Sequence, residues 1–429
     1  MTTRDAILGQ DRAHVWHPYT QMQEYLEKTE PLVLERARGS RLYDVNGKQY
    51  LDANASWYCA VLGHQHPRLV KALTAQAEKM CHVALAGIAH EPSAALAKEL
   101  CAIAPAGLSR VFFSDDGSTA VEVALKLSLQ YWAQNGRPER TRFLALDGAY
   151  HGDTMGAVSV SGIDVFRRSF GSVLIDCLRA PTGVSGHAQA FEVLGRMLAE
   201  HAGELAAVIV EPIAQGAVGM RLYSPELLRA LRELTAKHDV FLICDEVFTG
   251  YGRTGPFWAS QHAGVAPDLL CTAKGFTGGM LPMAATLATE RIFAGFLGEA
   301  ERTFFYGHTF CGNPLGAALA REVLRVFQDE DVLAQAAGKA QRIARAFEAF
   351  RALPDVVETR SLGMIGALDL AGSKSYLEPR GKRVYAEALR RGAYLRPLGN
   401  TVYITPSLNI PNAELDELLG IVEESVRAS

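Results

Sequence analysis

Two short apolar runs end on residues of opposite charge. Asp268-Leu-Leu-Cys-Thr-Ala-Lys274 has the length of a strand, and a turn of little bulk, Gly275-Phe-Thr-Gly-Gly279, follows its lysine. Val240-Phe-Leu-Ile-Cys-Asp245-Glu246 ends on acid. If the runs are neighbouring strands of one sheet, their carboxyl ends face one crevice, where open α/β sheets bind ligands. An amine shielded there from bulk water can form a Schiff base, and a carboxylate nearby can hold a ring nitrogen protonated. Taken singly, a lysine after a strand is usually a solvated surface group, and Asp-Glu is usually loop punctuation. Their pairing with an anion site is what favours chemistry.

That anion site follows the strand Val111-Phe-Phe113. Ser114-Asp-Asp-Gly117-Ser118-Thr119 opens a helix whose Val121, Ala124, Leu125, Ser128 and Trp132 keep three- and four-residue spacing. Glycine and hydroxyl residues at such a turn leave N–H groups free at the positive end of a helix, where a phosphate fits. A plain N-cap uses the same residue types. The next strand, Phe143–Leu146, empties into Asp147-Gly-Ala-Tyr150-His151-Gly152-Asp153-Thr154. An aromatic pair between glycines is badly placed to fill a core and well placed to stack on a flat ring. Lysine, carboxylate, phosphate cradle and stacking ring together are what pyridoxal phosphate requires.

The elements that must position these groups alternate along the chain. Helices are expected at 91–104, 191–205 and 225–238, and strands at Ala207–Val210 (before Glu211) and Ala284–Ala288. This alternation predicts a mostly parallel sheet with helices on both faces. Trp16-His-Pro-Tyr19-Thr20 reads as a loop, and Pro31–Asp52 as a hairpin around Asn46-Gly47. His64 and His66 lack acidic or cysteine ligands beside them, and Pro67 suits a helix start, so no metal is expected. Residues 163–190 read as a long irregular loop, and Gly250-Tyr-Gly-Arg253-Thr-Gly255 as a mobile turn with one candidate buried arginine. Beyond Tyr306–Pro314, a long helix from Leu315 leads to strands at Met364–Leu370 and Ala393–Pro397. A last helix, capped by Asn412, carries Leu415, Leu418, Leu419, Val422 and Val426 as its stripe. Arg396 suits bidentate capture of a carboxylate, or a structural ion pair.

At 429 residues the chain exceeds one ordinary core. Three segments are expected: an arm and hairpin at 1–55, a large domain at 56–325 and a C-terminal small domain at 326–429. A net charge of -4 gives no footprint for nucleic acid, and no apolar run is long enough to span a membrane. Seven cysteines without a Cys-x-x-Cys pair suit a reducing cytoplasm.

Asp245, the strand ending at Lys274, Gly117-Ser118, Tyr150-His151-Gly152 and Thr309 together resemble the class III (ω-type) aminotransferases of fold type I pyridoxal-phosphate enzymes, over nearly the whole chain. The resemblance implies an α/β fold: a mostly parallel seven-stranded sheet in the large domain, and a smaller α+β domain from both chain ends. It implies pyridoxal 5'-phosphate as cofactor, Lys274 as its covalent anchor and proton shuttle, Asp245 at the pyridine nitrogen, and Tyr150 stacked on the ring and facing the substrate. Gly117 and Ser118 would hold the phosphate from one subunit, with His308 and Thr309 completing it from the other and Gly307 near the substrate. A homodimer with shared active sites follows. Arg396 would take a carboxylate, and Trp57 and Tyr19 would line the pocket, Tyr19 among the catalytic side chains.

Trp16–Thr20, Ser56-Trp57, Gly148–Thr154, Gly250–Gly255 and Leu395–Gly399 are similar to the members that act in biotin synthesis. This implies 8-amino-7-oxononanoate as amino acceptor and S-adenosylmethionine as donor, in a ping-pong exchange through pyridoxamine phosphate. Tyr58, His308 and Leu398 depart from common adenosylmethionine-using members, while Tyr306–Phe310 and Met280-Leu-Pro282 are nearer to members that use lysine. Lysine is thus the alternative donor, and a general ω-amine:pyruvate exchange the alternative reaction.

Overall fold

The computed structural model describes residues 3–182, 187–373 and 375–429. Its centre is a seven-stranded sheet in the order Leu108–Ser114, Ala284–Thr289, Leu269–Thr272, Phe241–Asp245, Leu205–Val210, Arg142–Leu146 and Cys177–Ala180. Only Ala284–Thr289 runs antiparallel to its neighbours.

The inner strands are apolar on both faces, as a sheet covered on both sides demands. Side-chain alternation sorts them into two cores. Phe143, Ala145, Ala207, Ile209, Phe241 and Ile243 point to one face and pack with Val121, Ala124, Leu125 and Trp132 of the helix Gly117–Gln134. Leu144, Leu146, Val208, Val210, Leu242 and Cys244 point to the other and meet Leu227, Leu228 and Leu231 of Pro225–Lys237. Each such leucine, isoleucine or valine contributes about 1.5–3 kcal/mol by leaving water. Trp132 stacks on Phe241 at 4.7 Å, and its Nε1–H donates to Ala206 O at 2.9 Å. By the same alternation, Glu211 and Asp245 continue their strands on the face covered by the Gly117–Gln134 helix. The sheet therefore brings two carboxylates and that helix's N-terminus to one side of its carboxyl edge.

Both chain ends build the smaller part. Leu34–Arg38, Arg41–Asp44 and Gln49–Asp52 form an antiparallel meander, and Ala393–Tyr394 joins it parallel to Gln49–Asp52. The expected single hairpin therefore has a second reversal, at Gly39, besides the one where Gly47 takes φ +83°. Val356–Leu362, Ile365–Leu370 and Thr401–Ile404 form a second sheet. Ile343 and Phe347 of the helix Val332–Phe350 share its core with Leu368, Leu415 and Val422.

Several expectations change. Within 163–190, Asp164–Arg167 is a helical turn and Cys177–Ala180 is an edge strand paired with Arg142–Leu146, while 183–186 lie outside the described residues. Four residues at a sheet edge carry too little periodicity to be read from sequence. The helix expected at 191–205 runs His187–His201, and Leu205 already belongs to the next strand. The turn at 250–255 is packed in the core rather than mobile: Tyr251 and Arg253 are each 1% exposed, and Arg253 Nη1–H donates to Pro406 O at 2.7 Å. The strand expected at Ala393–Pro397 stops at Tyr394, short of a proline that cannot continue a ladder. Asn412 is the first helical residue after Pro411, not the cap. Among the described residues, no helix is long and apolar enough to cross a membrane.

One arginine ties the smaller part to the cavity wall. Arg360 Nε–H donates to Gly219 O at 2.9 Å and Met220 O at 3.0 Å, while Nη1–H donates to Asp369 Oδ2 at 3.0 Å. Gly219 and Met220 lie in the hairpin of Ala214–Gln215 with Arg221–Leu222. The ion pair is shielded, its side chains 12% and 16% exposed. Arg360→Ala leaves Asp369 unpaired and two carbonyls without donors, so a loss of about 3 kcal/mol is expected in denaturant unfolding. A midpoint equal to the parent's would refute this.

Candidate active site

Lys274 opens the short turn Lys274–Thr277 with φ +52°. A non-glycine residue in this left-handed region carries roughly 1 kcal/mol of strain, and it turns the side chain out of the strand's alternation. The Nζ lies 4.9 Å from the Tyr58 ring centre and 5.9 Å from that of Phe248. Burial pushes the lysine's pKa below its ordinary value, against the pull of Cys59, Asp245 and Glu211.

The floor is acidic and organised. Asp245 is 4% exposed; its Oδ2 accepts from His151 Nδ1–H at 2.7 Å and its Oδ1 from Val247 N–H at 3.0 Å. Glu211 accepts from the Tyr150 and Gly216 N–H groups, each at 2.9 Å. Burial pushes its carboxyl up to about 7, despite His151 and these two donors, and the Asp245 charge adds to the rise. Glu246, on the opposite face, accepts from Thr249 Oγ1–H at 2.6 Å and Ser260 N–H at 2.8 Å, so it organises the next turn instead.

The walls are aromatic. Tyr150 OH donates to Asp153 Oδ2 at 2.7 Å and lies 2.9 Å from Tyr19 OH, which also donates to Asp153. Burial first, then Asp153, holds Tyr19 up at about 12, and burial with Tyr19 lifts Tyr150 well above its ordinary value. Both are neutral phenols at physiological pH. The Arg396 guanidinium lies over the Trp57 ring at 4.0 Å, and among the described residues it forms no ion pair with a carboxylate. These groups enclose about 580 Å³, the size of a small-molecule site.

Pyridoxal phosphate fits these residues. In the capping box of the Gly117–Gln134 helix, Thr119 N–H donates to Asp116 Oδ1 at 2.9 Å and Asp116 N–H to Thr119 Oγ1 at 3.0 Å. The first-turn N–H groups of Gly117 and Ser118 have no intrahelical acceptor and remain for an anion. Neither neighbouring glycine tolerates a side chain. A Cβ on Gly117 would meet Val247 Cγ1 at 2.6 Å, and one on Gly152, at φ +125°, would meet Ser118 Oγ at 2.2 Å. The cradle, the Asp245 carboxylate and the buried amine line one cavity.

The structure thus gathers Lys274, Asp245, Tyr150, Tyr19, Gly117, Ser118, Trp57 and Arg396 from the expected set. Gly307, His308 and Thr309 do not line this cavity. Gly307 and Thr309 are exposed, and His308 Nδ1 lies 3.0 Å from Asp115 Oδ2 of its own chain, with Cys311 alongside. Sequence reasoning missed three groups. His151 was visible only as a second aromatic beside Tyr150, Glu211 only as an acid after a strand, and Asp153 had no distinguishing signal.

A mostly parallel α/β sheet with this lysine, carboxylate and cradle defines a pyridoxal-phosphate-dependent transferase. Residues 23–426 match the Aminotransferase class-III family. The adenosylmethionine-8-amino-7-oxononanoate aminotransferase of Geobacter sulfurreducens is 41% identical over 97% of this chain and 96% of its own length. The structure of the adenosylmethionine-8-amino-7-oxononanoate aminotransferase from Methanocaldococcus jannaschii is similar at a TM-score of 0.96 and 34% identity, covering 100% of both chains. An amine transaminase from an uncultivated Pseudomonas species, in PLP-bound form, reaches 0.91 at 33% identity over 96% of this chain and 98% of that one. The chain belongs to the class III aminotransferases, and its cofactor is pyridoxal phosphate.

Glu211 makes a pH prediction. Its folded pKa of about 7 exceeds the ordinary 4.5, so the folded chain binds more protons between those values. This carboxyl's contribution to stability therefore falls as pH rises from about 4.5 to about 7 and stays lost above that. Glu211→Gln does not titrate. In cofactor-free protein its stability relative to the parent is expected to rise by up to about 3 kcal/mol across that window. A difference that stays constant with pH would refute the assignment.

Proposed function

We propose that this aminotransferase converts 8-amino-7-oxononanoate to 7,8-diaminononanoate in biotin synthesis, in the cytoplasm, with S-adenosylmethionine as amino donor. The acceptor is that of the Geobacter sulfurreducens relative. The observation that carries it in this chain is Arg396, a guanidinium over the Trp57 ring in the cavity wall and without a carboxylate partner among the described residues, where a fork of donors suits the acid end of such a substrate.

Lys274 is the reactive group, as covalent anchor and proton carrier. Bound pyridoxal phosphate supplies an electron sink that makes the C–H bond beside the substrate nitrogen acidic. Asp245, fixed by His151 and the Val247 N–H, holds the pyridine nitrogen protonated. The Gly117 and Ser118 N–H groups would hold the phosphate, and Tyr150 would flank the ring. Burial favours the neutral Lys274 amine, whose Nζ would take the proton from the substrate carbon and return it to the carbon on the far side of the nitrogen. Tyr19 and Tyr150 remain protonated, with both hydroxyls directed at Asp153, so they shape the wall and act as neither acid nor base.

We place the other half of the phosphate site on a second copy of the chain, whose His308 and Thr309 complete it, with its Gly307 near the substrate. The exposure of that loop supports this, with Phe305 85% and Phe310 56% exposed beside Thr309. A second reading, lysine as donor, is favoured by Leu398 and Tyr58, which line the cavity, and by Tyr58 OH lying 2.9 Å from Tyr403 OH. A general ω-amine:pyruvate exchange would use the same cofactor residues.

Mixing the yellow holoenzyme separately with S-adenosylmethionine and with lysine, while following the cofactor absorbance, tests the donor. Bleaching by adenosylmethionine alone is the expected result. Bleaching by lysine alone would replace that donor, and bleaching only by simple ω-amines would overturn the biotin assignment. Lys274→Ala should keep the fold and lose at least about a thousandfold in turnover. Normal turnover in that variant would remove Lys274 from its role.

A further inference from the structure

Four consecutive residues that are not glycine, Ala55, Ser56, Trp57 and Tyr58, hold φ values of +45°, +45°, +58° and +73°. Left-handed backbone costs L-residues about 1–2 kcal/mol each, so the surrounding structure must impose it. Beneath the turn lies Asp52, 3% exposed at the end of the strand Gln49–Asp52. Its Oδ2 accepts from Ser56 Oγ–H at 2.8 Å and lies 2.9 Å from His64 Nε2, and its Oδ1 accepts from Asn54 N–H at 3.3 Å. One carboxylate thus ties the start of the turn, its second residue and the segment beyond it.

The turn delivers two adjacent aromatic side chains to different partners in the cavity. Trp57 lies against Arg396 at 4.0 Å and meets Tyr19 edge-on at 5.6 Å. Tyr58 meets Phe248 at 4.6 Å and stands 4.9 Å from the Lys274 amine. In right-handed backbone, successive side chains would leave at other angles, and Trp57 could not keep its face under the guanidinium.

We infer that Asp52, acting through Ser56 and His64, is a positioning residue that holds Trp57 against Arg396 and thereby sets the enzyme's discrimination in favour of a carboxylate-bearing acceptor. This rests on the reading of Arg396 as the carboxylate anchor. The Asp52 carboxylate touches neither reacting atoms nor cofactor residues. Its effect is on the orientation of the platform beneath the anchor.

The test compares 8-amino-7-oxononanoate with its methyl ester, which has the same chain and no charge, in the holoenzyme and in Ser56→Ala, Asp52→Asn and Arg396→Ala. Ser56 is exposed, so Ser56→Ala removes one hydroxyl bond without opening the core. The ratio of kcat/KM for acid over ester is expected to fall about tenfold in Ser56→Ala and Asp52→Asn, mainly through the KM of the acid. In Ser56→Ala and Asp52→Asn the cofactor absorbance should not change. A ratio that collapses in Arg396→Ala but holds in Ser56→Ala and Asp52→Asn overturns the inference and leaves the anchor standing. Equal losses on acid and ester in Ser56→Ala also overturn it, since they mark a general structural defect. No preference for the acid in the parent enzyme overturns both.

Discussion

The structure depends on keeping one amine out of water while leaving it reachable. A lysine in water is protonated and inert as a nucleophile, and one sealed in a core reaches nothing. Lys274 meets both demands by standing at the carboxyl edge of a sheet covered on both faces, in a left-handed residue that turns its side chain towards the cavity. Desolvation works against its charge, and the nearby carboxylates work for it. The balance is set by how many of those carboxylates are themselves ionised. Burial drives the Glu211 carboxyl towards neutrality, and each step in that direction weakens its pull on the lysine's proton.

The same economy of charge runs up the walls. Tyr19 and Tyr150 both direct their hydroxyls at Asp153, so the two phenols above the floor are held in fixed orientation. The arm that supplies Tyr19 and the strand end that supplies Tyr150 are 131 residues apart in the chain. The hydrogen bond between them therefore fixes the arm as a wall of the site as well as a staple on the body. Arg396 is held differently, by stacking on Trp57. This satisfies its flat faces and leaves its N–H edge for a substrate.

What sequence revealed follows from how local each signal is. The strand ends bearing Lys274 and Asp245, the glycine and serine at the Gly117 turn and the alternation within each strand are each written in a short stretch of sequence, and all were legible. The face on which each carboxylate points was also implicit in side-chain parity, once the strand boundaries were known. Contacts made across the fold were not. His151 meets Asp245 across 94 residues and Ser56 meets Asp52 beside a backbone conformation that no propensity favours, so neither pairing leaves a periodic trace. The edge strand Cys177–Ala180 was missed for the opposite reason: with one face half open and four residues, it has almost no pattern to read. The two-residue strand Ala393–Tyr394 owes its existence to the Gln49–Asp52 strand beside it, from the far end of the chain.

The proposed sharing of the site between two copies has a physical motive in the helix terminus. The first turn of the Gly117–Gln134 helix offers N–H groups from one side, and a phosphate dianion has oxygens on several sides. In its own chain, the loop that holds Thr309 turns its hydroxyl residue outward and surrounds it with apolar surface at Phe305 and Phe310. Such rings cost free energy in water, and an isolated subunit has no use for them. Burying them against a second copy would favour association and, by the same movement, carry a hydroxyl donor to an anion that one chain covers only in part. On that argument the dimer and the loaded cofactor stabilise each other. Subunit association should then tighten when the phosphate site is filled, because a group that binds only the paired state shifts the equilibrium towards it.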